Sequence, residues 1–169
     1  MALATSAFAG PVDYSKEDKN PVAPPPPAEC FGPGLDIGIF GSGYLLTHND
    51  YRDNGGGGGG LIEYFVNAYV GVQVSYSADG PAPVHNVYEG DIVLRYPIQG
   101  ACIAPYILLG GGGVSNSSNF GYGDAGIGIE ARVAPHVGIF ADGTYHWTGG
   151  GSGDLRDFTL VRLGVKYAF

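Results

Sequence analysis

The chain has 169 residues, 31 of them glycine and 12 tyrosine, with 44% hydrophobic and 14% charged residues and a formal charge of -8. That length suits a single domain, and the acidity, with only 8 Lys and Arg, excludes nucleic acid as a partner because phosphates require a basic patch. No run approaches the roughly 20 apolar residues of a membrane-spanning helix; any membrane insertion must use strands, and the glycine, tyrosine and β-branched content predicts an all-β protein.

Residues 1–9 end in Ala7-Phe8-Ala9, the small-residue form of a signal-peptidase site, and read as a residual signal-peptide segment. Residues 10–30 read as a disordered Pro-rich tether, since Pro21-Val22-Ala23-Pro24-Pro25-Pro26-Pro27 cannot bury a core and favours extended polyproline. The domain is expected over 31–169. Two cysteines, Cys30 and Cys102, are expected near the same rim of it. A disulfide between them is possible in an oxidising compartment, unless the distance across the fold forbids it.

From Phe31 onward apolar residues alternate with polar residues or glycine, the period-two pattern of strands with two different faces. Eight segments emerge. The first, Leu35 to Leu46, sets Leu35, Ile37 and Ile39 against Asp36, Gly38, Phe40 and Ser42. After the polar loop His48 to Asn54, the run Gly55 to Gly60 reads as flexible loop and thin strand leading into Leu61 to Phe65. A turn near Val66 to Ala68 returns the chain as Tyr69 to Ser77, and a fourth strand runs from Val87 to Tyr96. Pro97 to Ala101 forms a turn in which Gly100 tolerates positive φ. In the fifth strand, Cys102 to Gly113, Pro105 lacks a ladder donor and is expected at a bulge or weakly paired position. Asp124 to Val133, Val137 to Thr148 and Phe158 to Phe169 complete the set.

An internal repeat supports this division. Ile62-Glu63-x-x-Val66-x-x-x-Val70-Gly71-Val72 recurs as Ile129-Glu130-x-x-Val133-x-x-x-Val137-Gly138-Ile139, which predicts two hairpins of one turn design. Connections after the even strands read as short, and those after the odd strands as longer and polar. This is the asymmetry of an eight-stranded antiparallel up-and-down transmembrane β-barrel.

Alternation alone does not separate a soluble barrel, apolar inside, from a membrane barrel, which is inverted. The charges do. Asp36, Glu63, Glu89, Asp91, Arg95, Glu130, Arg132, Asp142, His146, Arg162 and Lys166 fall on one face among many glycines. Such a face suits a narrow interior in which acids and bases pair. Phe40, Tyr69, Tyr106 and Phe140 are expected to help fill it. The other face is Leu, Ile and Val, with Tyr64, Tyr76, Tyr96, Tyr145, Trp147, Tyr167 and Phe169 toward strand ends, as in interfacial aromatic girdles.

The last strand is the most specific signal. Arg162-x-Gly164-x-x-Tyr167-x-Phe169 resembles the C-terminal signal of bacterial outer-membrane proteins. Leu94-Arg95-Tyr96-Pro97-Ile98, Ala104-Pro105-Tyr106 and Ala134-Pro135-His136 extend the likeness to the small OmpA-like and OmpX-like barrels of Gram-negative bacteria. The resemblance implies residence in the outer membrane with lipid around the barrel, both termini periplasmic, and a monomer. It also implies recognition of the final strand by the barrel-assembly machinery through β-augmentation. The class includes anchors, adhesins and a few enzymes.

Little catalytic chemistry is legible. Gly55 to Gly60 lacks the Lys-Ser/Thr and the helix of a phosphate loop, and His48, His85, His136 and His146 have no metal-ligand spacing. Asp142 and His146 share the polar face and would suit an acid–base or buried pair, but no serine nucleophile accompanies them. The sequence therefore predicts a non-enzymatic structural or surface-exposed membrane component, with a filled interior, no large pore, no cofactor and no metal. A narrow solute channel and a lipid-modifying hydrolase are the alternatives.

Overall fold

The computed structural model describes residues 30–46, 55–79, 85–115, 119–148 and 157–169. The signal-peptide segment, the tether up to residue 29 and the polar loop at 47–54 lie outside the described residues. Eight strands follow in order: β1 (Gly34–Leu46), β2 (Gly55–Phe65), β3 (Val70–Asp79), β4 (His85–Arg95), β5 (Ile103–Ser115), β6 (Asn119–Ala134), β7 (Val137–Thr148) and β8 (Phe158–Ala168). A short 3-10 turn, Gln99–Ala101, separates β4 from β5. Each strand pairs antiparallel with its neighbours, and β8 pairs with β1 to close the barrel.

The register fixes the shape. From Asp36, successive ladder partners are Glu63, Gln73, Asp91, Gly110, Asp124, His146 and Phe158, and Phe158 pairs with Leu46. One circuit thus returns to β1 ten residues beyond its start, from Asp36 to Leu46. With ordinary strand rise and spacing, that stagger tilts eight strands by about 40° and gives a backbone radius of about 8 Å, room for side chains and little else.

The two faces are inverted relative to a soluble barrel. Ile39, Val72, Val74, Ile127, Leu163 and Val165 point outward and are exposed, while Glu63, Gln73, Asp124, Glu130, Arg162 and Lys166 are buried. All seven aromatic residues assigned to the outer face, Tyr64, Tyr76, Tyr96, Tyr145, Trp147, Tyr167 and Phe169, are exposed. Tyr69 is the exception among the predicted interior aromatics. It is 56% exposed, because β3 starts one residue later and the Asn67 side chain accepts the Tyr69 and Val70 amides at 2.8 and 2.9 Å, making Tyr69 part of the turn.

Other departures have local causes. The run Gly55 to Gly60 is strand throughout, paired with β1, and the backbones of both neighbouring strands come close to it: β1 at Gly58, where a Cβ would lie 2.8 Å from the Phe40 carbonyl oxygen, and β3 at Gly57 and Gly59. A Cβ on Gly57 would lie 2.0 Å from the Ala78 carbonyl oxygen, and one on Gly59 1.9 Å from that of Tyr76. Strand β6 begins at Asn119 and β5 reaches Ser115, so the connection between them is only residues 116–118, shorter than the one between β4 and β5. Loop length therefore does not alternate strictly. Pro105 sits in unbroken register opposite Ile129, with no bulge. Its carbonyl accepts from Tyr96 at 2.8 Å just past the last β4–β5 pair, Arg95 with Tyr106. The missing donor thus falls at the end of a ladder, where its loss costs least.

The register shift lies instead between Arg132 and Ala134. The repeated hairpins share register, with Glu63 opposite Gln73 and Glu130 opposite Phe140. Their turns differ, since the bulge carries β6 on to pair Ala134 with Val137 while β2 stops at Phe65. Gly100 does not supply the positive φ of its turn; Cys102 does, at φ 52, as the left-handed cap of the 3-10 turn.

If the outer wall faces hydrocarbon, a charge at its middle is costly. Leu163→Arg is expected to lower folding stability in phospholipid vesicles by about 2–4 kcal/mol, read as a shift in the denaturant midpoint; an unchanged midpoint would contradict the inversion.

Candidate functional site in the barrel interior

Among the described residues every Lys and Arg points into the barrel: Arg95, Arg162 and Lys166 are buried, and the Arg132 side chain is 6% exposed. Period-two alternation puts them there, and packing decides what they meet. At the end of the barrel where β1 starts and β8 ends, Lys166 Nζ lies 2.7 Å from Glu63 Oε2 and 3.4 Å from Glu130 Oε2. It also lies 4.6 Å from the centre of the Phe140 ring. Arg132 bridges Asp36 at 2.5 Å and Glu130 at 2.8 Å. Asp36, Glu63 and Glu130 bring carboxylate oxygens within 4.8 Å of one another, but Lys166 and Arg132 already supply the positive charge that such a cluster requires.

Arg162 holds the middle. Its Nε and Nη2 donate to the two oxygens of Asp142 at 2.7 and 3.1 Å, a bidentate fork. Its Nη1 donates to Glu89 at 2.8 Å and to Ser75 at 3.3 Å. The Tyr106 hydroxyl donates to Asp142 at 2.8 Å. The suggested Asp142–His146 pair does not form: Asp142 is taken by Arg162 and Tyr106, and His146 Nε2 lies 2.6 Å from Glu89. With its ring stacked 4.2 Å from Phe158, His146 is part of a packed wall.

Beyond Arg162, toward the long connections, the interior carries an apolar cluster beside the buried Asp79. Tyr44, Val87, Val114, Tyr122, Phe158 and Leu160 form one buried cluster, with Tyr44 stacked on Phe158 at 4.7 Å and the Tyr122 hydroxyl donating to the Tyr88 carbonyl at 3.0 Å. The opposite mouth is covered by the segment preceding β1. Phe31 is 1% exposed, its ring 5.1 Å from the Arg95 guanidinium and 5.5 Å from that of Arg132. Arg95 Nη2 donates to the Gly32 carbonyl at 2.8 Å. Cys30 and Cys102 are joined at this rim, with Cα atoms 5.3 Å apart. Both ends of the lumen are therefore filled by side chains.

Sequence reading missed Phe31, the apolar cluster at the far end, and two interior acids. Asp79 and Asp124 share parity with Ser77 and with Glu130 respectively, and that parity was the available signal. Asp79 accepts hydrogen bonds from Ser42 and Ser77. Asp91 receives the Gln73 amide at 3.3 Å and approaches Asp124 over Gly110, where a Cβ would lie 2.4 Å from Asp91 Oδ1. Two residues of the C-terminal motif face inward as packing: Arg162, and Gly164, whose Cβ would lie 2.7 Å from both the Phe140 ring and the Phe40 side chain. Tyr167 and Phe169 face outward. Asp157, just before β8, accepts from the Tyr145 hydroxyl and the Thr148 amide of β7 at 2.7 and 3.0 Å, which hold its carboxyl below the ordinary aspartate range.

A closed eight-stranded barrel with charges inside and an apolar, aromatic-edged wall outside is a transmembrane β-barrel of the outer-membrane kind. The chain matches no protein-family model and no curated protein sequence. Its fold is similar to that of the N-terminal β-barrel domain of Pseudomonas aeruginosa OprF: 17% identity over 82% of this chain and 99% of that one, with a TM-score of 0.61. Neisserial surface protein A is similar at 15% identity, TM-score 0.63, over 82% and 99% of the two chains. So is Ail, the attachment invasion locus protein of Yersinia pestis, at 18%, 0.56 and the same shares. The fold is that of the small eight-stranded outer-membrane barrels.

Removing Arg162 takes from buried Asp142 and Glu89 the guanidinium they share, leaving Asp142 only the Tyr106 hydroxyl and Glu89 only Ser75 and His146. Arg162→Met is expected to cost about 3–5 kcal/mol in a urea titration followed by gel mobility. Adding Asp142→Asn and Glu89→Gln should recover part of that loss; equal stability of wild type and Arg162→Met would refute the network.

Proposed function

We propose that this protein is a non-enzymatic component of the bacterial outer membrane, a lipid-embedded monomeric barrel whose interior is a structural core and not a passage. The observation that carries this reading is that the lumen is filled along its length: by Phe31 between Arg95 and Arg132 at one mouth, by Arg162 and its carboxylates in the middle, and by Tyr44, Tyr122 and Phe158 at the other. A radius of about 8 Å leaves no lumen once such side chains are in place.

The remaining details follow from the same logic. The tight turns after β2 and β6, the start of β1 and the end of β8 share one rim, which in this reading faces the periplasm, as short turns do in such barrels. The tether at 10–30 then lies in the periplasm, anchored at its last residue by the Cys30–Cys102 bond, and Ala7-Phe8-Ala9 supplies a signal-peptidase site. Outward-facing Tyr167 and Phe169, their rings in edge contact at 4.9 Å, present the final strand to the assembly machinery by β-augmentation. The hydrolase alternative is disfavoured by His146, which is 0% exposed and stacked on Phe158, out of reach of any lipid.

Membrane fractionation with a heat-modifiability gel, followed by planar-bilayer recording of the purified barrel, tests the proposal. The expected result is an outer-membrane protein whose mobility changes on boiling and which gives no sustained porin-like conductance. Stable conductance steps would establish the channel alternative, and a soluble, unshifted product would defeat the whole assignment.

A further inference from the structure

We propose that the Cys30–Cys102 disulfide is a site of thiol–disulfide exchange with a dithiol partner, and that its reduction releases Phe31 and opens to water the mouth of the barrel where β1 starts. The inference rests on how Phe31 is held. The bond joins residues 72 apart in sequence and ties the segment before β1 to the β4–β5 turn. Beside it, the Cys30 amide donates to Gln99 Oε1 at 3.0 Å, and Gln99 Nε2 donates to the Phe31 carbonyl at 3.3 Å. These contacts sit at the rim, where water can replace them.

What lies beneath favours release. Phe31 covers two guanidinium groups, and Arg95 Nη1 and Arg132 Nη1 are buried with no hydrogen-bond partner. Buried unsatisfied donors on charged groups are costly, and withdrawal of the ring would let water reach both. The ring contacts to Arg95 and Arg132 and the Arg95 bond to the Gly32 carbonyl at 2.8 Å oppose this; the covalent link, by limiting how far Cys30 can move from Cys102, adds the constraint whose loss on reduction tips the balance. Cys102 adds a second sign of a site under constraint: it is the one non-glycine residue with positive φ among the described residues, and such backbone persists where surrounding structure enforces it. Both cysteines are partly exposed at the rim, within reach of an attacking thiolate.

The exchange balances with a dithiol reductant. One reductant thiolate bonds to one protein sulfur, the Cys30–Cys102 bond breaks, and the departing cysteine takes a proton. The second reductant thiol, as thiolate, then attacks the mixed disulfide and frees the other cysteine, which is also protonated. Two electrons and two protons pass to the protein, and the reductant leaves as its own disulfide.

Phenylglyoxal modification of arginine, mapped by mass spectrometry on the folded barrel in detergent before and after dithiothreitol, tests this. In the oxidised protein Arg95 and Arg132 should react as slowly as Arg162; reduction should accelerate Arg95 and Arg132 roughly tenfold, as expected for a locally opened segment, and leave Arg162 unchanged. Phe31→Ala should show the fast rates with the disulfide intact, which separates loss of the ring from any wider effect of reduction. The proposal is overturned if a non-reducing peptide map finds no Cys30–Cys102 bond, if reduction leaves both arginines slow, or if Phe31→Ala leaves them protected.

Discussion

Inside a bilayer no water is available to an unpaired backbone N–H or carbonyl, and each such group costs several kcal/mol. A sheet can meet that constraint only by closing. Here closure is made by β1 and β8, paired from Asp36 with Ala168 to Leu46 with Phe158, and extended past the strand by the Phe169 amide, which donates to the Leu35 carbonyl at 3.0 Å. His136 secures the same corner: its carbonyl accepts from the Ala168 amide at 2.9 Å and its ring stacks on Tyr167. Once eight strands close with a stagger of ten residues, the radius is set, and with it the volume the interior side chains must fill.

Filling that volume with charge is tolerable only if the charges satisfy one another. Lys166, Arg132 and Arg162 are each shared between two acids. Acids outnumber bases, and the surplus is handled differently. Asp79 relies on the hydroxyls of Ser42 and Ser77, and Asp91 on the Gln73 amide. Glycine is the complementary device. Gly128 admits the Tyr106 ring, whose Cζ would lie 2.4 Å from an added Cβ, and Gly71 admits that of Phe65 at 2.7 Å. Two ring-on-glycine contacts thus turn a wall of small residues into a packed core.

Parity is what made much of this legible in advance. In β1, β3, β4, β7 and β8 strict alternation assigned the inner and outer faces, and the strand count and antiparallel order followed from the turns between them. What parity does not encode is distance across the lumen. Glu89 finds His146 and Arg162 only because the stagger brings them to one height, whereas the four-residue spacing of Asp142 and His146 within β7, about 13 Å along an extended strand, already keeps those two apart. The glycine run at 55–60 was obscure for a related reason, since Gly57 and Gly59 answer to the approach of β3 and Gly58 to that of β1, features of the partner strands. Phe31 precedes the first strand and carries no periodicity at all; its role depends on Arg95 and Arg132, far away in sequence. Tyr69 failed at a boundary, where one residue decides whether alternation still applies.

The central claim is that the apolar face of each strand meets lipid. The chain offers a direct probe, because Trp147 is its only tryptophan, lies on the outer face at 45% exposure, and covers Gly123, where an added Cβ would fall 2.6 Å from the indole nitrogen. Its emission should be measured in vesicles of ordinary and of acyl-brominated phospholipid, with and without a water-soluble quencher. A lipid-facing Trp147 gives blue-shifted emission that the brominated chains quench and the aqueous quencher does not. Red-shifted emission, quenched from water and indifferent to bromine, would contradict the account.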